Sequence, residues 1–363
     1  MEAGRRNPGL WDGVPLGQWS LSVPGCGLTA GGIRDERSAD TAGREEAPCP
    51  HVGRVCSPSS DERWLAILRP SRLNPRRMAR SGLILKLSCP DQAGIVAKIA
   101  SYVAGHRGNL IEFAQFTDKL SLRFFARLEI ETGELDVDPE DFIEGFGTLG
   151  RSMKADWHFR RLPYKMKTAV LVTKTDHCLN EILWRAEIGE MPVEITSIIG
   201  NRDTCRGIAE RAGIPFHLVE MDGGKKEEGF TKIRGILAAE SVELAVLARF
   251  MQIIPDDFCR DFAGRLINIH HSFLPAFIGA NPYRQAYERG VKLIGATCHY
   301  VTADLDAGPI IEQEVERVQH FHAPQDLARL GRSCERIALA KGIRYHVHDR
   351  TIIDGSRAIV FPD

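Results

Sequence analysis

The stretch from Leu266 to Val315, LINIHHSFLPAFIGANPYRQAYERGVKLIGATCHYVTADLDAGPIIEQEV, decides the fold. It opens on an apolar run, Leu266-Ile267, that delivers Asn268, His270, His271 and Ser272. A second apolar run, Leu293 to Val301, delivers His299 and then Asp306. Strand-like segments that each end in polar groups are how an open α/β sheet builds a site at the carboxyl ends of its strands. The groups here are an amide, imidazoles and a carboxylate. They offer donors for an oxyanion and a base for water or an amine, which is the equipment of acyl or formyl chemistry. Three histidines and an aspartate also raise the question of a metal. Adjacent His270 and His271 alternate faces on a strand, and His-Glu-x-x-His spacing is absent. No metal is therefore expected.

Toward the N-terminus, Thr168 to Thr173 is a near-continuous apolar run, as a buried parallel strand requires. Strand candidates recur at Glu194 to Ile199, Pro215 to Val219 and Leu244 to Ala248. A helix through Cys178, Leu179, Ile182 and Leu183, capped by Asp176, falls between them, as do Cys205 to Ala212 and Phe230 to Ala239. His177 at that first helix start reads as a satisfied polar group. The alternation predicts a doubly wound, mostly parallel α/β sheet over residues 168–363. No Gly-x-Gly-x-x-Gly follows the first strand, so no dinucleotide is expected. Beyond the deciding stretch, Pro324 to His348 reads as an amphipathic helix with Leu327, Leu330, Ile337, Leu339 and Ile343 on its apolar side. A hairpin across Asp354-Gly355 closes the chain.

Residues 82–162 carry a different pattern. Strands are predicted at Leu83 to Leu87, Leu110 to Phe116, Leu122 to Ile130 and Trp157 to Leu162, with helices at Ile95 to Ala104 and Pro139 to Leu149. The order β-α-β-β-α-β predicts a ferredoxin-like α+β module. Residues 1–77 are rich in Gly, Pro, Ser and Arg and show no sustained period. They read as disordered, or as a segment preceding a true start at Met78.

At 363 residues, two domains are expected. The net charge of -1 points to neither nucleic acid nor an anionic membrane. No apolar run approaches the roughly 18 residues that a membrane span needs. The 9 cysteines include no Cys-x-x-Cys, which fits reduced thiols in the cytoplasm.

Four segments, NIHHSFLPAF (Asn268 to Phe277), AYERGVKLIGAT (Ala286 to Thr297), HYVT (His299 to Thr302) and LDAGPII (Leu305 to Ile311), together resemble the formyltransferase family. Within it they are most similar to the formyltetrahydrofolate deformylase branch. The resemblance runs from Leu83 to Phe361. It implies a Rossmann-like catalytic domain that hydrolyses 10-formyltetrahydrofolate to tetrahydrofolate and formate without a further cofactor. It implies catalytic roles for Asn268, His270 and Asp306. It implies that Leu247 to Ile254 lines the pterin pocket, with Arg249, Met251, Gln252 and Ile254 meeting the substrate. His271 and His299 are expected to border the site.

The turn Asp91 to Val96, with Gly108-Asn109, resembles the ACT domain. That implies an amino-acid effector held by Asp91, Gly94, Ile95 and Asn109, and a homo-oligomer. A plain cap and tight turn is the other reading of those residues. The sequence departs from the family pattern at Thr173, Arg202, Phe250 and Arg284. Formyl transfer to an amine uses the same three catalytic groups and stays open; His271, the N-terminal module and the lack of an acceptor domain disfavour it. An amino-acid sensor with a vestigial site is a second alternative, against which the intact Asn268, His270 and Asp306 argue.

Overall fold

The structure is a computed structural model that describes residues 81–275 and 282–362. All of these belong to one compact unit, Ser71–Asp363. The reading of residues 1–77 lies outside the described residues.

The first module comprises β1 (Gly82–Pro90), α1 (Ile95–Gly105), β2 (Asn109–Asp118), β3 (Arg123–Glu131), α2 (Pro139–Ser152) and β4 (Asp156–Leu162). The sheet order is β2-β3-β1-β4 with every neighbouring pair antiparallel, which is the ferredoxin-like arrangement. Alternation drives it. Leu83, Leu85, Leu87 and Cys89 leave one face of β1 and meet Ile95, Ile99, Phe142 and Phe146 from the two helices. Asp138 caps α2, its side chain accepting from the Glu140 amide at 2.9 Å, with Pro139 in the first turn.

The second part begins with β5 (Met166–Val172), α3 (His177–Glu187), β6 (Val193–Gly200), α4 (Arg206–Arg211), β7 (Phe216–Leu218), α5 (Lys226–Ala239) and β8 (Leu244–Leu247). It continues through α6 (Asp256–Asp261), β9 (Leu266–His270), α7 (Pro282–Arg289), β10 (Leu293–Tyr300), β11 (Ile310–Arg317) and α8 (Pro324–Val347), and closes with β12 (Thr351–Asp354) and β13 (Arg357–Val360). One seven-stranded sheet, ordered β11-β10-β9-β8-β5-β6-β7, carries cores on both faces. Strands β5 to β9 pair in parallel, while β10 and β11 are antiparallel. Val170, Val246, Ile267 and Ile269 face one core with α3 and α8. Ala169, Leu171, Ala245 and Leu247 face the other with α5 and α6. Helix α8 lies close against β10: a Cβ on Gly342 would sit 2.2 Å from Cys298 Sγ.

Three expectations are corrected. Asp176 does not cap α3 with its side chain; the carboxylate accepts from Asn180 Nδ2 at 3.1 Å instead. Ile337 is 38% exposed on α8, whereas Glu335 is buried at 1%. The sequence pattern does not announce strand β11, because IIEQEVER is an edge strand in which only Ile311 is buried and three glutamates hide the alternation. Strand β10 pairs antiparallel with β9, so the two polar-tipped runs of the deciding stretch do not end at the same sheet edge.

The two parts meet through charge. Asp349, 1% exposed, accepts from Lys86 Nζ at 2.9 Å and from Arg160. Nearby, Arg127 Nε donates to the His348 carbonyl at 3.2 Å, and Arg350 pairs with Glu112 at 3.0 Å.

Candidate active site

Asn268 and His270 are two residues apart on β9 and so share a face; Ile267 and Ile269 turn the other way into the core. Across the strands, His299 is the register partner of Asn268. Cross-strand register, and not a shared carboxyl edge, thus brings His299 to the site. Its Nε2 lies 3.2 Å from Asn268 Nδ2, and its Nδ1 lies 2.8 Å from the Tyr300 carbonyl. A carbonyl only accepts, so Nδ1 carries the proton and Nε2 receives the amide. Burial pushes the His299 ring below the usual histidine range, which keeps it neutral.

Asp306 comes from the loop between β10 and β11, in a left-handed backbone at φ 56°. Aspartate tolerates that region better than most residues. The loop folds back on its own strand, with the Tyr300 amide donating to the Pro309 carbonyl at 2.9 Å. At Gly308 a Cβ would lie 1.8 Å from the Tyr300 oxygen, so no side chain fits there. This closure carries Asp306 Oδ1 to 3.2 Å from His270 Nδ1 and 3.8 Å from His299 Nε2. The hydrogen bond from His270 is the main cause of an Asp306 carboxyl held below its ordinary range. His270 is 7% exposed, and its Nε2 is buried without a hydrogen-bond partner on the protein. A buried ring nitrogen of this kind, without a partner, asks for a ligand.

That nitrogen borders a cleft of about 280 Å³. Arg249, Met251, Gln252, Ile254, His271 and His299 all line it, with Asn268 and Asp306. Leu247, Val301 and Leu305 supply apolar wall. The strap that forms one side is pinned by Thr173, whose hydroxyl accepts from the Met251 amide at 3.0 Å. Threonine in place of serine keeps that hydroxyl. Arg249, at φ 63°, pairs through Nε with Glu335 at 3.3 Å. His271 lies edge-on to His270, with ring centres 5.1 Å apart. Burial, Arg249 and His270 push its pKa down to about 4.

Sequence reasoning missed Glu335, Tyr283 and the Thr173 anchor. The signal for Glu335 was present: it lies four residues after Gly331 and four before Leu339, on the buried stripe of α8. Reading the helix through Ile337 rotated that stripe and put Glu335 on the solvent side.

Among the described residues one group has ligand atoms within 4.8 Å of one another: His177, Cys178 and Glu335. The donor set does not suit a metal. Both Glu335 oxygens are taken by His177 and Tyr283, and burial with Glu335 beside it pushes the Cys178 thiol well up. No helix among the described residues is long and apolar enough to cross a membrane.

The proposed effector residues fall apart in part. Asp91, Gly94 and Ile95 line a separate hollow of about 510 Å³ at the start of α1, with Gln92, Gln115 and Thr117. Asn109 is not among them; its amide donates to Glu131 at 3.2 Å.

An amide, a histidine and an aspartate converging on a cleft at the end of a parallel sheet define an acyl-transfer site. A family model described as formyl transferase matches residues 166–343. The formyltetrahydrofolate deformylase of Bacillus subtilis is 42% identical over 278 residues, covering 76% of this chain and 93% of its own. That of Synechocystis is 43% identical over 277 residues, covering 76% and 97%. The crystal structure of a formyltetrahydrofolate deformylase from Pseudomonas syringae is 40% identical, with a TM-score of 0.76, and covers 78% of this chain and 96% of that one. The chain belongs to the formyltetrahydrofolate deformylase family.

Proposed function

We propose that this protein hydrolyses 10-formyltetrahydrofolate to tetrahydrofolate and formate, with Asn268, His270 and Asp306 carrying the chemistry. The observation that supports it most is the His270 ring, which lines the cleft, tied to Asp306 at Nδ1 and without a protein partner at Nε2. The formyl oxygen lies between Asn268 Nδ2 and the Nε2–H of a protonated His270. A water held by Asp306 attacks the formyl carbon and gives its proton to the carboxylate. The negative charge passes to the formyl oxygen, where each fixed donor is worth about 2.7–4 kcal/mol. The carbon–nitrogen bond then breaks, N10 takes the Nε2 proton of His270, Asp306 returns its proton to that ring, and the formic acid that leaves with the water oxygen ionises to formate. The contacts of Asp306 with His270 and His299 are both made by Oδ1, and Oδ2 is the oxygen offered to the water. The pterin rests against Met251, Ile254 and Val301, and neutral His271 walls the cleft without adding charge.

We read the module over 82–162 as an ACT domain. Its hollow at the N-terminus of an eleven-residue helix suits the carboxylate of a free amino acid. Edge strand β2 carries Ile111 and Phe116, each 43% exposed, a surface suited to a second copy of the chain in a cytoplasmic homo-oligomer. Equilibrium dialysis against the amino acids and sedimentation of the full chain test both.

The decisive assay is formate release by the full chain from 10-formyltetrahydrofolate, with chelator and no amine. Rapid release that Asp306→Asn abolishes supports the hydrolase. Turnover only when an amine is added would move the protein to the transferases.

A further inference from the structure

Glu335 is a carboxylate in the middle of a long helix, 1% exposed. A buried carboxylate is expensive unless it is paired and hydrogen-bonded. Here Oε1 accepts from Tyr283 Oη at 2.6 Å, and Oε2 faces His177 Nε2 at 2.7 Å and Arg249 Nε at 3.3 Å. Burial would raise its pKa, but His177, Arg249 and Tyr283 outweigh it, and the group stays ionised.

The surroundings are shaped for these contacts. One helical turn earlier, a Cβ on Gly331 would lie 2.1 Å from Tyr283 Oη, so glycine there admits the phenol. Arg249 holds a left-handed backbone, a conformation that persists in a non-glycine residue only where the surroundings over-determine it. The Ala248 amide bonds to the Leu171 carbonyl at 2.9 Å, and the Met251 amide to Thr173 at 3.0 Å. Backbone bonds therefore fix the strap on either side of Arg249, and its side chain meets Glu335 as an ion pair at 3.3 Å without a hydrogen bond at Nε. Arg249 is the member of this cluster that lines the cleft alongside His270 and His271.

We propose that Glu335 is a positioning residue for the reaction: it holds the Arg249 side chain against the cleft wall and so sets substrate affinity without touching the substrate. The proposal rests on the hydrolase reading above. It makes α8 a working part of the site and assigns the carboxylate a role beyond filling the core.

The test is Glu335→Gln, which keeps shape and removes charge, with Tyr283→Phe, Arg249→Ala and the double variant Arg249→Ala/Glu335→Gln. Melting temperature, kcat, KM and the Kd for tetrahydrofolate are measured on each full chain. The expected result is that Glu335→Gln raises KM and Kd together by on the order of tenfold, with kcat within about threefold of wild type. Tyr283→Phe shifts the same quantities by less. The double variant binds no worse than Arg249→Ala, as residues acting through one contact should. A Glu335→Gln that melts lower but binds tetrahydrofolate with wild-type affinity would overturn the proposal, as would full additivity in the double variant. Wild-type chain that binds tetrahydrofolate but releases no formate would count against the hydrolase reading and leave the Kd comparison standing.

Discussion

Asn268 Nδ2 lies 3.2 Å from His299 Nε2, and because the other nitrogen of that ring is bonded to the Tyr300 carbonyl, the amide can only donate. A neutral histidine thereby fixes which way a catalytic amide points. Its second N–H is left for the oxygen that becomes negative. Asn268→Ala is expected to lower kcat by about 10²–10³-fold with KM little changed. His299→Ala, which frees the amide to turn, should lose less, and the double variant should be no worse than Asn268→Ala. Steady-state kinetics on the three decide it.

In the proposed mechanism Asp306 acts on both water and His270. Asp306→Asn keeps the loop but removes the base and the charge that His270 faces at 3.2 Å. A loss of about 10²–10⁴-fold in kcat is expected. Tetrahydrofolate affinity measured by calorimetry should stay near wild type. A variant that turned over normally would exclude the carboxylate from the mechanism.

Gly308 is the least replaceable residue of the loop that presents Asp306, since a Cβ there would fall 1.8 Å from the Tyr300 oxygen. Gly308→Ala must push that loop away from β10. A displacement near 1 Å costs about 10²-fold in rate. Circular dichroism should show the fold retained while kcat falls by that order.

The junction predicts a pH dependence of stability. His346 Nδ1 shares a hydrogen bond with Tyr300 Oη at 2.8 Å, and the ring edges a hollow beneath β1 and β4. Burial, with Lys86 and Arg160 nearby, pushes its pKa down to about 3. A histidine whose folded pKa is depressed contributes stability that is full above its free value of about 6.5 and is lost as pH falls toward the folded one. Burial works against the neighbouring Asp349, but Lys86 and Arg160 outweigh it and hold that carboxyl below its ordinary range. Its contribution is thus lost only at more acid pH. Melting temperature should begin to fall below about pH 6.5, and His346→Gln should flatten the slope by at most about 1.4 kcal/mol per pH unit. An unchanged slope would show that the ring is not held neutral.

Much of this was legible in the chain. The period-2 run of Leu83, Leu85 and Leu87 and the continuous apolar run at Thr168 named two different sheets before any coordinates. Asn268, His270 and Asp306 stood out because polar groups at strand ends are hard to explain by packing. Three things were not legible. Strand β11 hid because an edge strand has only one neighbour and can be nearly all glutamate on its open side. Antiparallel β10 hid because strand direction is set by pairing, which a local pattern does not record. Glu335 hid because a glutamate in a helix is read as solvated unless the phase of the buried stripe is known to within one residue.

The ion pairs at Asp349 also bear on how the chain is made. Synthesis runs from the N-terminus, and domains fold as units as they emerge. Lys86 and Arg160 lie on β1 and β4 of a module whose contacts are complete by Leu162. Asp349 and the hairpin β12–β13 emerge later, with Arg357 meeting Asp118 on that same module. These later residues therefore meet a charged surface whose strands have already been made.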